Sequence, residues 1–144
     1  MSASIFIDTN VLVYMFDNAS PAKQTIALDL IQTSSFTISA QVLGELCVTL
    51  TNKLRRPVPA DIASQAINDL LLTAPVEPIT GSLVATALDA SIRYQLSYWD
   101  ALIIEAAAAA GCHTVMTEDL NAGQTIHDVT IVNPFTQANP SANS

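Results

Sequence analysis

Ile5-Phe6-Ile7-Asp8-Thr9-Asn10-Val11-Leu12 places three apolar residues before an acid, two polar residues and a second apolar pair. Such a run is too short for a buried helix and fits a buried strand over residues 4–7. Thr9 or Asn10 can then cap a short helix. Downstream, residues 36–38 fit a strand, and Ser39 opens a helix to about Lys53 that Pro57 must end. Ser20 and Pro21 start a helix to about Thr33. Helices also fit residues 60–72 and 82–95, with a short extended segment at 76–79 between them. Ser97 caps a helix through Ala110, Gly111 stops it, and strands fit 113–116 and 129–132. Strands alternating with helices predict an α/β domain around a mainly parallel sheet, because parallel strands need crossover connections. The expected layout is a single domain over residues 1–135 and a flexible polar tail over 136–144.

Half of the 144 residues are hydrophobic and 12% are charged, which suits a globular chain. No apolar run reaches the ~18 residues of a membrane span, and the first residues lack the basic start of a signal peptide. Cys47 and Cys112 sit in apolar contexts without metal-ligand spacing, as buried thiols do in a reducing compartment. A cytoplasmic protein without a membrane role is expected. The net charge of −8 argues against phosphate binding through basic residues. Yet three of the five cations, Lys53, Arg55 and Arg56, fall within four residues. Bound divalent cations would also invert the field wherever carboxylates gather.

Four of the thirteen acids are singled out by position. Ligands of open parallel sheets bind beyond the carboxyl ends of the strands. Asp8 follows the first strand, although an acid there also serves as a turn or cap residue. Asp119 follows the strand ending at Met116, and in Thr117-Glu118-Asp119 the neighbouring Glu118 competes for the same role. Glu45 lies off the apolar stripe of Val42, Leu43, Leu46, Cys47, Leu50 and Leu54. It shares one face with Thr49, Asn52 and Arg56, either a solvated face or a groove wall about 16 Å long. Asp100 begins a helix that is apolar on nearly every side, so its charge needs a partner. It also completes a capping box with Ser97. Converging carboxylates suit Mg²⁺ or Mn²⁺, which can activate water and clamp a phosphodiester.

Other chemistries lack their residues. His113 and His127 are fourteen apart with no HxxxH or CxxC partner, which leaves no zinc site. There is no GxGxxG, P-loop or GxSxG motif. Tyr98 and Trp99 are expected to pack or to line a wall.

Ile5-Phe-Ile-Asp8-Thr-Asn-Val-Leu, Gly44-Glu45-Leu, Tyr98-Trp-Asp100-Ala-Leu-Ile-Ile and Val115-Met-Thr-Glu-Asp119-Leu-Asn-Ala-Gly123 together resemble the PIN-domain family, and within it the VapC-type toxins of toxin–antitoxin pairs. The resemblance runs in order from about Ser4 to Phe135, closing on Val-Asn-Pro-Phe135. It implies a three-layer α/β/α fold and a Mg²⁺- or Mn²⁺-dependent ribonuclease. Its acidic quartet maps onto Asp8, Glu45, Asp100 and Asp119, with Asn10, Thr117 and Glu118 as further candidates beside them. It also implies a homodimer and a cognate antitoxin that wraps the toxin and blocks the site. Lys53, Arg55 and Arg56 are the expected contacts to the RNA backbone. Two other readings stand beside this one. One is a metal-dependent nuclease or phosphatase acting on DNA or small phosphates. The other is a non-catalytic module that binds RNA or a protein.

Overall fold

The computed structural model describes residues 5–136. Ser4 and most of the expected tail lie outside them; Thr136 lies within, its hydroxyl donating to Asn133 O at 3.0 Å. A six-stranded sheet has the order β3-β2-β1-β4-β6-β5, formed by β1 (Ile5–Ile7), β2 (Phe36–Ser39), β3 (Val76–Glu77), β4 (Thr114–Met116), β5 (Thr125–Ile126) and β6 (Val129–Val132). Every pairing is parallel except β5 with β6. The flanking helices are α1 (Thr9–Val13), α2 (Pro21–Thr33), α3 (Ala40–Val48), α4 (Ala60–Thr73), α5 (Gly81–Tyr94) and α6 (Tyr98–Ala109). None of the helices among the described residues is long and apolar enough to cross a membrane. Cys47, expected to be buried, is half-buried, whereas Cys112 is buried.

The core follows from the short apolar strands. Phe6, Ile7, Ile38 and Val115 are fully buried, each removal from water worth about 1.5–3 kcal/mol. On α6 the seven residues Ala101 to Ala107 are all buried, as its apolar composition on every side requires. One of them is charged: Glu105, 3% exposed. Both of its carboxylate oxygens meet the His127 Nδ1, at 2.8 and 2.9 Å, which meets the need of a buried charge for a partner.

Two local features were not expected. The helix that Ser39 opens does not stay α-helical to Lys53: Thr49–Lys53 forms a π-turn, in which Leu54 N–H reaches Thr49 O at 3.1 Å. It ends there, four residues before Pro57, so Arg55 and Arg56 lie beyond the helix. Strand β5 was also missed. It joins β6 through the two-residue turn His127-Asp128, with φ of 49° and 62°. Two successive left-handed residues give the turn a twist that matches the paired strands.

Candidate active site

The strand order sets the position of the site. The chain builds outward from β1 through β2 to β3, then returns to lay β4 on the other side of β1. The crevice of such a sheet opens where the direction of winding reverses, beyond the carboxyl ends of the strands. Asp8 leaves β1 there, and its N–H bonds Met116 O at 3.0 Å. Thr117, Glu118 and Asp119 leave β4 beside it. An open cleft of about 560 Å³ follows, lined by Asn10, Glu45, Thr49, Lys53 and Asp119 among others.

Asp8 itself caps α1, its Oδ1 accepting from Thr9 N–H at 2.7 Å. The cap expected of Thr9 or Asn10 is therefore one residue earlier, which frees both side chains for other contacts. Asn10 Nδ2 lies 3.3 Å from Asp8 Oδ2, 2.9 Å from Thr117 Oγ1 and 3.0 Å from Asp119 Oδ2. Thr117 Oγ1 donates to Asp8 Oδ2 at 2.9 Å and accepts from Asp119 N–H at 3.2 Å. Asn10 and Thr117 thus tie the carboxylates of Asp8 and Asp119 into one network across more than a hundred residues of chain. Thr9 Oγ1 donates to Glu45 Oε1 at 3.2 Å. This threonine was overlooked in the sequence except as a cap.

Asp8 is 8% exposed. Burial raises its pKa from the ordinary 3.8 to about 6. Hydrogen bonds from Thr117 and the Thr9 backbone lower it, while the charges of Glu45 and Asp119 raise it further. No cation among the causes offsets these charges. A buried carboxylate with two acidic neighbours is the oxygen-rich, electron-dense environment that a hard divalent cation favours. Carboxylate oxygens are the donor type that such a cation takes. As placed, no three His, Cys, Asp or Glu side chains among the described residues are grouped tightly enough to hold an ion.

Glu118 is separated from Asp119 by its partners. Lys23 Nζ lies 2.9 Å from Glu118 Oε2, and Tyr14 OH donates to Oε1. Lys23 is held above its usual pKa chiefly by its hydrogen bond to Glu118, and Lys23 also lies 5.0 Å from the Tyr14 ring centroid. Asp119 has no such neutralising cation among the described residues and is exposed at the cleft. Asp100 occupies the first turn of α6, half-buried, with its N–H on Ser97 Oγ at 3.1 Å. It does not line the cleft that Glu45 and Asp119 share. Lys53 does line it, whereas Arg55 and Arg56 do not.

A mostly parallel α/β sheet with carboxylates gathered beyond β1 and β4 defines the structural class. The chain belongs to the PIN domain family, whose profile matches residues 5–125. Among solved structures, it is similar to the Mycobacterium tuberculosis toxin VapC20, described as cleaving the sarcin–ricin loop, with 24% identity and a TM-score of 0.65 over 81% of this chain and 90% of that one. A toxin–antitoxin complex from Klebsiella pneumoniae gives 19% identity and a TM-score of 0.68, over 91% of this chain and 98% of that one. VapBC2 from Rickettsia felis, bound to a DNA fragment from its promoter, gives 16% and 0.60, over 88% and 96%. At these identities the likeness is one of fold. No curated protein matches the chain by sequence.

Proposed function

We propose that this chain is a Mg²⁺- or Mn²⁺-dependent endoribonuclease, the toxin of a VapC-type toxin–antitoxin pair. The observation that carries this reading is the buried carboxylate of Asp8, raised further by the charges of Glu45 and Asp119, both of which line the open cleft at the sheet's switch point. A domain that only binds has no use for such a repulsive arrangement. Membership of the PIN domain family and the likeness to toxin structures support the same reading.

Asp8, Glu45 and Asp119 would hold the ion, with Asp100 completing the acidic set from α6. When bound, the ion supplies Lewis-acid polarisation of the phosphate and lowers the pKa of a water. The protein's own residues do the positioning. Asn10 and Thr117 fix the Asp8 and Asp119 carboxylates, and Thr9 fixes Glu45. Glu118, neutralised by Lys23, stays out of the set. No Ser, Cys or His among the described residues lines the cleft, so the attacking group comes from outside the protein; in this reading it is a water activated beside the carboxylates rather than the RNA's own 2′-hydroxyl. The products are then a 5′-phosphate and a 3′-hydroxyl. Incubating the protein with total RNA, with and without Mg²⁺ or Mn²⁺, and mapping the new ends tests this; RNA left intact in both arms would remove the reading.

The partners of this reading are RNA, a cognate antitoxin that covers the cleft, and a second copy of the chain, in the cytoplasm. Lys53 is the phosphate contact of the cleft. Lys53→Ala is expected to weaken RNA binding across sequences and to reduce the salt slope by about one. Arg55→Ala and Arg56→Ala are expected to leave that slope nearly unchanged, because both side chains lie beyond the helix and off the cleft. Affinities measured from low to high salt separate the three. A slope lost at Arg55 or Arg56 and kept at Lys53 would reverse the assignment.

A further inference from the structure

Glu118 lines the same cleft as Asp119, yet both of its carboxylate oxygens are taken by partners distant in sequence. Oε1 accepts from the hydroxyl of Tyr14, the residue that closes α1. Oε2 meets Lys23 Nζ at 2.9 Å, in the first turn of α2. Lys23 Nζ also donates to Tyr14 OH at 3.3 Å and stands 5.0 Å and 5.5 Å from the ring centroids of Tyr14 and Phe135. These two rings meet edge-on, with centroids 4.9 Å apart and planes at 70°. Phe135 lies past β6, is buried, and is not among the residues that line the cleft. A lone surface lysine–glutamate pair is worth little. Here the cation is also held over two aromatic faces, and its partner uses both oxygens, so the geometry is set from several directions.

Residues 118–120 lie outside any helix or strand, so side chains rather than a backbone ladder must fix where Asp119 points. Glu118 is tied at both ends. Its N–H donates to Asn10 Oδ1 at 3.3 Å, and Asn10 Nδ2 in turn holds Asp119 Oδ2 at 3.0 Å. Its side chain is held by Tyr14 and Lys23. The cluster thus reaches the candidate metal ligand through one peptide bond and one shared asparagine.

We propose that Lys23, Tyr14 and Phe135 are positioning residues that brace Glu118 and through it hold the Asp119 carboxylate where a divalent ion binds. The proposal rests on the metal-dependent ribonuclease reading and adds that ion affinity depends on an aromatic ring outside the cleft. Two roles for the lysine predict opposite signs. If Lys23 only neutralises Glu118, removing its charge leaves an extra anion beside the site, and a cation binds more tightly. If Lys23 braces Glu118, its removal frees Asp119 from its fixed position. Losing such an orienting partner weakens metal binding about 10–100-fold.

Mn²⁺ alone is titrated by calorimetry into the full metal-free chain, well below the Tm that each protein shows in EDTA. Lys23→Met is expected to raise the Kd about tenfold despite the lost positive charge. Lys23→Arg is expected to recover most of the affinity. Phe135→Leu, which changes no charge, is expected to move the Kd in the same direction as Lys23→Met. Should Phe135→Leu fail to fold, Tyr14→Phe removes only the hydroxyl on Glu118 and carries the same expectation. At saturating Mn²⁺ the weakened variants are expected to lose kcat with little change in KM for RNA. A Lys23→Met Kd that is unchanged or lower, with wild-type binding in the charge-neutral variant, overturns the brace and leaves the ribonuclease reading intact. Variants that show a lower Tm in EDTA but keep the wild-type Kd also overturn it, because their loss is one of stability alone. A wild type that neither binds Mn²⁺ nor cuts RNA removes the ribonuclease reading, and the brace with it.

Discussion

Asp8→Asn is expected to make the metal-free protein more stable at pH 7.5 while slowing RNA cleavage on the order of 10³-fold or more. The two effects share one cause. Burial and the acidic neighbours raise Asp8 from 3.8 to about 6, so the native state keeps a proton that the unfolded chain has already released. Between about pH 4 and pH 6 the folded form binds more protons, and stability falls as pH rises through this window. Above pH 6 the full penalty, about 3 kcal/mol, is present. Asparagine removes the titration and with it this slope. Part of the gain is offset, because an amide replaces Oδ2, which accepts from Thr117 and Asn10. A net gain of about 1–2 kcal/mol remains. Urea unfolding in EDTA across pH 4–8 measures it. Parallel pH profiles for wild type and variant would show that Asp8 does not carry this cost.

Divalent metal is expected to separate the two proteins. In the wild type an ion meets an unbalanced charge, and at a hundred times its Kd it stabilises by about 2.7 kcal/mol. For a chain of this size that is a rise in Tm of roughly 10 °C. Asp8→Asn, already relieved of its repulsion, is expected to respond little. Excess EDTA is expected to abolish cleavage and to return the wild type to its lower Tm. An unchanged wild-type Tm across millimolar Mg²⁺ and Mn²⁺ would count against a shared site. Efficient cleavage in EDTA leaving 2′,3′-cyclic phosphates would mean acid–base catalysis instead.

The sequence was most legible where one residue type decides a local outcome. Ser39 and Ser97 cap α3 and α6 as read, and the burial of α6 follows from its composition. Asp8, Glu45 and Asp119 were legible because strand ends and helix faces fix where a side chain can point. What escaped depends on contacts distant in sequence. What distinguishes Glu118 from Asp119 is its ion pair with Lys23, 95 residues away. Asn10 and Thr117 became network residues only once β1 and β4 paired. Strand β5 carries two residues and a His-Asp turn, without the Asn-Gly or Asp-Gly that marks such hairpins. Helical-wheel reasoning put Arg56 on the Glu45 face, but that wheel presumes 3.6 residues per turn throughout.

The π-turn at Thr49–Lys53 makes the lysine of the cleft depend on chain length as well as on side-chain identity. Such turns accommodate an extra residue in an otherwise α-helical path. Each residue of an α-helix turns the next by about 100°. A lineage that lost one residue here would keep the lysine in its sequence yet swing it away from the acidic wall. Aligned column by column, the two proteins would score as alike. Their grip on a phosphate would differ, and the cause would be a deletion rather than a substitution.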